Sequence, residues 1–374
     1  KVEGLKHIWG RTDLIPLWVA DMDFATAPFV TDAIRKRCEN EVLGYTGKPD
    51  SYYNAIINWV KQRYDLIVTK EVINFVPGIV PGIGMAMNCF TQKGDKVMIQ
   101  PPVYHPFAWV TTRNERTLVI NPLKWENGMY RMDLDAFREQ IKGCKLFILC
   151  NPHNPGGVVW TEAELRAIAD ICYDEKVLVF SDEIHADLTL PPHTHRPFAT
   201  VSEKARMNSV TFMSPSKAFN MPGLSASHAL IFNEDLRKRF RIYMDAGELD
   251  MGHVFAFLSV EAAYSHGTEW LDQCLAYIQG NIDFVDEFLK KHAPKIKAIR
   301  PEASYLVWLD CRELELSQKD LNEFFVDKAH LALNDGEMFG KEGIGFMRLN
   351  VASPRCIIEK AMKQLADAYQ LYIK

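Results

Sequence analysis

The chain has 374 residues, 48% of them hydrophobic and 24% charged, with a formal net charge of −5. That length exceeds the size at which a single core stops growing, so two domains are expected, and the composition is that of a globular protein. The acidic balance gives no electrostatic basis for binding nucleic acid or an anionic membrane, and no apolar stretch approaches the ~20 residues that would span a bilayer.

Eight cysteines form no C-x-x-C pair, and several, such as Cys150, lie in apolar runs. They read as free thiols of a reducing compartment, not as a disulfide framework or a zinc site. The first residues, Lys1 to His7, carry no apolar leader and do not begin with Met. A cytoplasmic protein is expected, with residues missing or processed ahead of Lys1. Internal repeats and low-complexity tracts are absent.

In chain order, Ile15 to Phe24 mixes Pro, Trp and Asp and reads as an extended arm. Pro28 starts a helix with apolar residues at Phe29, Val30, Ala33 and Ile34. A turn-rich loop, Leu43-Gly44-Tyr45-Thr46-Gly47-Lys48-Pro49, precedes a helix around Tyr53 to Trp59. Phe75 to Gly84 reads as a strand end, a tight turn and a helix start, the helix running to about Phe90. The amides of such a start are unpaired and carry partial positive charge, so a phosphate can sit there. The spacing is neither a Walker loop nor G-x-G-x-x-G, so it is not read as a nucleotide site.

Lys96 to Gln100 is a strand ending in Pro101-Pro102-Val103-Tyr104-His105, and an aromatic ring at a strand end can stack on a flat cofactor. A short strand at Leu118 to Ile120 and a helix from Asp133 to Ile141 follow. Two buried strands, Leu146 to Cys150 and Val177 to Phe180, flank a helix from Thr161 to about Tyr173, for which Thr161 and Glu164 supply a capping box. Strands alternating with helices predict a mostly parallel, doubly wound sheet. His185, His193 and His195 lie near Asp182, but Pro191-Pro192 argues for an irregular loop, and no metal site is expected. A long amphipathic helix is predicted over Trp270 to Lys290 and a strand over Tyr305 to Leu309. Ser353-Pro354 is expected to cap a last helix striped by Ile357, Ile358, Ala361, Met362, Leu365 and Tyr369. Arg348 lies in a short apolar strand within Gly345 to Asn350, where a guanidinium needs a carboxylate partner, either a structural one or a ligand.

Three stretches stand out for chemistry. Asn151-Pro152-His153-Asn154-Pro155-Gly156-Gly157 and Ser181-Asp182-Glu183-Ile184-His185 each follow a buried strand. Ser214-Pro215-Ser216-Lys217-Ala218-Phe219-Asn220 follows Val210 to Met213. Open α/β sheets hold ligands just past the carboxyl ends of their strands. A lysine there can form a Schiff base with an aldehyde cofactor, of which pyridoxal 5′-phosphate (PLP) is the common one. An acidic residue can pair with its pyridinium nitrogen, and an asparagine can bond its ring oxygen.

With those motifs in that order, the sequence resembles fold-type I PLP enzymes of the class I/II aminotransferase superfamily over nearly its whole length. Within it the chain is most similar to the MalY/PatB group of cystathionine β-lyases and cysteine-sulfur lyases, which includes cystalysin. Ala20-Asp21-Met22-Asp23-Phe24, Asp182-Glu183-Ile184-His185 and Ser216-Lys217-Ala218-Phe219-Asn220 carry the likeness. The resemblance implies a large PLP-binding domain over 29–266 and a smaller α+β domain from 1–28 with 267–374.

It also implies roles. Lys217 holds the cofactor and serves as base, Asp182 pairs with the ring nitrogen, Asn154 with the ring oxygen, and Tyr104 stacks on the ring and donates a proton to the departing sulfur. Ile79 and Val80 supply amides to the phosphate, with Ser214 and Ser216. Tyr45 reaches the phosphate of the neighbouring subunit's cofactor, which predicts a homodimer. Arg348 clamps the substrate carboxylate, and the backbone near Ala20 faces it. The chain departs from related patterns at three places. His105 stands where cystalysin-like enzymes have a second Tyr. His185 stands where aspartate aminotransferases have a Tyr, as in the MalY/PatB group. Ser225 stands where the superfamily often has a phosphate-binding Arg. The activity implied is β-elimination from a small sulfur amino acid such as cystathionine, cystine or cysteine. Aminotransfer is the alternative, and a protein-binding regulatory role a lesser one.

Overall fold

The computed structural model describes residues 1–373. Its centre is a seven-stranded sheet whose order across the molecule is Ile73–Val76, Ser227–Leu230, Ser209–Met213, Leu178–Asp182, Cys144–Cys150, Lys96–Ile99 and Thr117–Ile120. Ser227–Leu230 runs antiparallel to both neighbours, and the remaining pairs are parallel. Helices cover both faces, so the central strands are apolar throughout rather than alternating, as in Leu146 to Cys150, where every residue is buried.

Register along this sheet brings the motif ends together. Cys150 lies opposite Asp182, and Asp182 opposite Phe212. The segments carrying Asn154, Asp182 and Lys217 therefore leave three adjacent parallel strands at one edge. The helix Ile79–Phe90 packs on the same sheet, and it can approach closely because Gly82 faces Val76 and Phe212.

A second sheet is antiparallel, in the order Lys297–Ile299, Leu306–Asp310, Phe346–Asn350, Asn334–Asp335. Arg348 lies in its third strand, between Trp308 and Asn334. The amino-terminal arm joins this sheet's surroundings to the larger sheet. Ile15–Pro16 pairs in parallel with Leu331–Ala332. The Asn350 side chain donates to the carbonyls of Val19 and Asp21 at 2.6 Å each. From the other side, Asn220 bonds Met22 through both its amide and its carbonyl, and Phe24 through its carbonyl.

Most predicted elements are present. The helices Pro28–Cys38, Asp50–Tyr64, Glu162–Asp174 and Thr268–His292 fall where periodicity put them. Both halves of the Thr161/Glu164 capping box form. The arm forms no helix but is a strand only at Ile15–Pro16, with bends at 19–21 and 23–24, and a helix not predicted from the sequence, Val2–Trp9, precedes it. It is held by burying Leu5 among Leu14, Trp9 and Trp18. Two details of the last helix differ from expectation. It starts at Arg355 after Pro354 with no side-chain cap, the Ser353 hydroxyl being buried without a partner. Ile357 is solvent-exposed, because the buried stripe runs through Ile358, Ala361, Met362, Leu365 and Tyr369. All eight cysteines are free. No helix among the described residues is long and apolar enough to cross a membrane.

Candidate active site

A cavity opens at the carboxyl edge of the large sheet, with about 220 Å³ open to the centres of water molecules. Its walls include Ala20, Ile79, Val80, Tyr104, Asn154, Asp182, His185, Ser216 and Lys217, and also Cys150, Ser225 and Ser227. Arg348 borders the same region through its bond to Asn154. Residues spread over more than three hundred positions of sequence thus meet at one place.

Lys217 extends from the segment after Ser209–Met213 and donates from Nζ to the carbonyl of Ala20. No carboxylate among the described residues pairs with it in a salt bridge. Burial, with the nearby Arg348 charge second, brings its ammonium down to about 8, so a reactive neutral amine is accessible near neutral pH. Asp182 terminates its strand, fully buried, and accepts one bond, from the Ile184 amide to Oδ1 at 3.1 Å. Burial raises its carboxyl to about 7, against the lowering by that amide. A buried acid with one bonded oxygen is ready to take a ligand N–H on the other.

Arg348 is buried, and its partners are all neutral. Nη1 donates to Asn154 Oδ1 at 3.0 Å, and Nη2 to Asn334 Oδ1 at 2.6 Å and the Trp18 carbonyl at 3.1 Å. Nε has no partner. The guanidinium lies 4.8 Å above the Phe339 ring. Burial lowers its proton affinity to about 10, which leaves it charged at neutral pH. Of the two carboxylate partners the sequence allows for Arg348, a structural one is not present among the described residues. A buried cation without a counter-ion is a receptor for an anionic ligand group.

The amino end of the helix Ile79–Phe90 faces the cavity. Gly78 precedes it with φ +131°, a conformation open to glycine. Pro81 has no N–H, and the Gly82 amide bonds the Gly78 carbonyl at 2.9 Å. Ile79 and Val80 thus present the two amides without an intrahelical acceptor. Ser216 lines the cavity beside them, whereas Ser214 lies behind it. The Ser214 hydroxyl donates to the Ala226 carbonyl at 2.7 Å and accepts from the Ser216 amide at 3.1 Å, so it orients this turn rather than facing the cavity.

Tyr104 lines the cavity, with its hydroxyl made less acidic by burial and then by Asp182. His185 also lines it, and burial, followed by the charges of Lys217 and Arg348, holds its ring neutral, at about 3. His105 points elsewhere, into an aromatic group with Trp109 and Phe339. His195 bonds Glu183 and His193 approaches Glu302, so the three histidines of this region do not converge. Tyr45 sits on the exposed loop 40–49 with 97% of its surface accessible in the single chain, away from this cavity's walls.

Sequence reasoning missed Tyr305 and Asn334. The Tyr305 hydroxyl donates to the Ala20 carbonyl at 3.1 Å, the acceptor used by Lys217. Both residues looked like ordinary strand positions, and nothing local in the sequence distinguishes them.

These groups suit a flat aldehyde carrying a phosphate and a protonated ring nitrogen. An amine is present for the aldehyde, a half-satisfied buried acid for the ring nitrogen, and free amides for the phosphate. The orphaned guanidinium remains for a second anion. That set defines a site for chemistry at the α-carbon of amino acids.

The chain matches the aminotransferase class I and II family model over residues 12–365, and it belongs to that family. It is 38% identical over 364 residues to the cystathionine β-lyase PatB of Bacillus subtilis, covering 97% of this chain and 94% of that one. Among solved structures it is similar to PLP-containing cystalysin of Treponema denticola, at 34% identity and TM-score 0.94, covering 97% and 93% of the two chains. The PLP-bound C-S lyase of Staphylococcus hominis is likewise 34% identical, with TM-score 0.90 and coverage of 98% and 94%.

Proposed function

We propose that the protein is a PLP-dependent carbon–sulfur β-lyase that cleaves L-cystathionine or a related sulfur amino acid to a thiol, pyruvate and ammonia. The observation that carries this reading is the pairing of a buried, neutralisable Lys217 with a buried, unpaired Arg348 on one cavity. Elimination in preference to aminotransfer is supported by the cystathionine β-lyase and C-S lyase relatives.

Bound PLP supplies an electron sink that acidifies the substrate's α-carbon. Arg348 fixes the substrate α-carboxylate in a two-point clamp, with Ala20 beside it. Lys217, whose amine lies near neutrality, removes the α-proton. Asp182 would pair with the ring nitrogen and keep it protonated, and Asn154 would bond the ring oxygen. Tyr104 would stack on the ring and donate its phenolic proton to sulfur as the Cβ–S bond breaks, the bonding pair going to sulfur so that it leaves as the thiol. Ile79 and Val80 amides, Ser216 and Tyr45 from a second copy would hold the phosphate, and His185 would stand beside the ring as a neutral group. The exposure of Tyr45 supports a homodimer with shared sites. The two sheets, drawn from residues 73–230 and 297–350, support a large domain over 29–266 and a smaller one from 1–28 and 267–374. Free cysteines support a cytoplasmic setting.

Pyruvate release from L-cystathionine, coupled to lactate dehydrogenase, tests the assignment with wild type and Lys217→Ala side by side. Pyruvate from wild type alone supports both the lyase and the lysine's role. Amination of keto acids without pyruvate would replace it with the aminotransferase reading. A protein-binding role would survive Lys217→Ala.

A further inference from the structure

Behind Asp182, on the side away from the cavity, lies a second carboxylate that the reaction as described does not use. Glu183 is buried, its side chain wholly excluded from solvent, and it follows Asp182 directly in the chain. Oε1 accepts from the Ser181 hydroxyl and from the Phe198 amide, each at 2.8 Å. Oε2 lies 2.8 Å from His195 Nε2. The Ser181 and Phe198 donors on one oxygen and the His195 ring on the other place a hydrogen-bonding group at each side of this carboxylate.

Whether that negative charge reaches Asp182 depends on His195. Its Nε2 faces Glu183, while Nδ1 is buried and has no partner among the described residues. A neutral ring with the hydrogen on Nε2 serves Glu183 fully and leaves only a lone pair unmatched on Nδ1. An imidazolium would instead bury an N–H with no acceptor, the costlier omission. The other charged or titratable groups around the ring are Tyr64, which meets it edge-on, and Asp187, which accepts from the Tyr64 hydroxyl and from Trp59 Nε1. No cation among the described residues forms a salt bridge with Glu183 apart from this histidine. The Glu183 charge is thus uncancelled, in a low-dielectric position one residue from Asp182, where charges act strongly on each other.

We infer that Glu183 is a positioning residue that supports Asp182: its fixed negative charge adds to that of the Asp182 carboxylate and so would stabilise the protonated, positively charged ring nitrogen of bound PLP. This rests on the proposed pairing of Asp182 with that nitrogen. The direction agrees with the local electrostatics, in which Glu183 adds to the effect of burial at Asp182. It also accounts for a network that contributes no group to the cavity yet is satisfied on every carboxylate oxygen.

The test uses holoenzyme reconstituted with PLP labelled with ¹⁵N in the ring, read by the ring-nitrogen NMR resonance. Glu183→Gln keeps the shape and acceptor oxygen but removes the charge. Its resonance is expected to move toward that of the unprotonated ring, with kcat for pyruvate release lower by roughly tenfold, one decade of proton affinity. KM for L-cystathionine should stay within about twofold. His195→Gln, whose amide can donate to Oε2 in place of the ring, should leave the resonance where wild type has it. An unmoved resonance in folded, PLP-loaded Glu183→Gln overturns the inference, and so does a shift in His195→Gln, which would mean the ring carried a cancelling charge. The second variant keeps the test decisive if Glu183→Gln does not fold. Asp182→Asn is the control for the underlying assignment: if it leaves the resonance unmoved, the pairing of Asp182 with the ring is wrong, whatever Glu183 does.

Discussion

Arg348 donates from Nη2 to the side-chain oxygen of Asn334 at 2.6 Å, and the two residues sit opposite each other on neighbouring strands. The acceptor is neutral, so the bond orients the guanidinium without neutralising it. Asn334→Asp would supply the missing counter-ion from within the protein. An internal carboxylate competes with the substrate's for the same fork. KM for L-cystathionine is expected to rise on the order of tenfold to a hundredfold, with a smaller change in kcat. Thermal denaturation of the apoenzyme should show an equal or higher midpoint. A lower midpoint together with an unchanged KM would contradict the idea that Arg348 is kept unpaired for its ligand.

The buried acid at position 182 has a stability consequence whose sign is opposite to that of a paired carboxylate. Its folded-state value, raised to about 7 by burial, lies above the ordinary Asp range. Between pH 4 and 7 the unfolded chain therefore holds fewer protons than the folded one, and stability falls as pH rises through that window. Asp182→Asn removes this penalty. In urea denaturation at fixed protein concentration, the Asn apoenzyme should exceed wild type at pH 8 by on the order of 3 kcal/mol and by much less at pH 4.5. A gain of the same size at both pH values would show that the carboxyl's ionisation is not its source.

Tyr104 carries a phenol whose acidity burial suppresses, which keeps it protonated and able to donate. Tyr104→Phe retains the ring for stacking and removes the proton. A roughly hundredfold fall in kcat, within the range for general acid catalysis, with KM changed by less than about threefold, is expected from steady-state pyruvate release. The loss should shrink with a substrate whose sulfur leaving group is more acidic. An equal loss for good and poor leaving groups would remove Tyr104 as the proton donor.

The position of the helix Ile79–Phe90 depends on two glycines in different ways. A Cβ at Gly82 would come within 2.9 Å of Val76 Cγ2 and 3.1 Å of Phe212 Cε1, both in strands of the large sheet. Gly82→Ala is expected to cost about 1–3 kcal/mol and to weaken PLP binding to the apoenzyme, because the helix must lift from the sheet. A Cβ at Gly84 meets only Val110 Cγ2, at 3.3 Å, near the helix surface. Gly84→Ala should be close to neutral, since alanine favours the helix by up to about 1 kcal/mol. PLP titration monitored by protein fluorescence, with chemical denaturation, distinguishes the two.

How far the site could be read before folding depends on whether local order carried the signal. Lys217, Asp182 and Asn154 each follow a run of apolar residues, and that pattern is visible because strands buried on both faces are short and continuously hydrophobic. Ile79 and Val80 come from the family resemblance, since the sequence shows a helix start there without showing which amides stay free. The resemblance, with Ser225 in place of a phosphate-binding Arg, turns Ser214 toward the phosphate, but in the structure its hydroxyl donates to the Ala226 carbonyl. A two-residue offset in a turn reverses such an outcome, and residue type does not reveal it.

By itself, the sequence determined the class of fold, the parallel strands and their helices, and the family, because these rest on hydrophobic periodicity and on motifs in linear order. It also determined that an arginine in a short apolar strand needed a negative partner. Only the tertiary structure decided what that partner is not. Three neutral acceptors from separate segments, Trp18, Asn154 and Asn334, surround Arg348, and no carboxylate among the described residues does. The same holds for Ala20, whose carbonyl receives both Lys217 and Tyr305. These relationships join residues far apart in the chain, and their geometry exists only once two sheets and the amino-terminal arm have packed against one another.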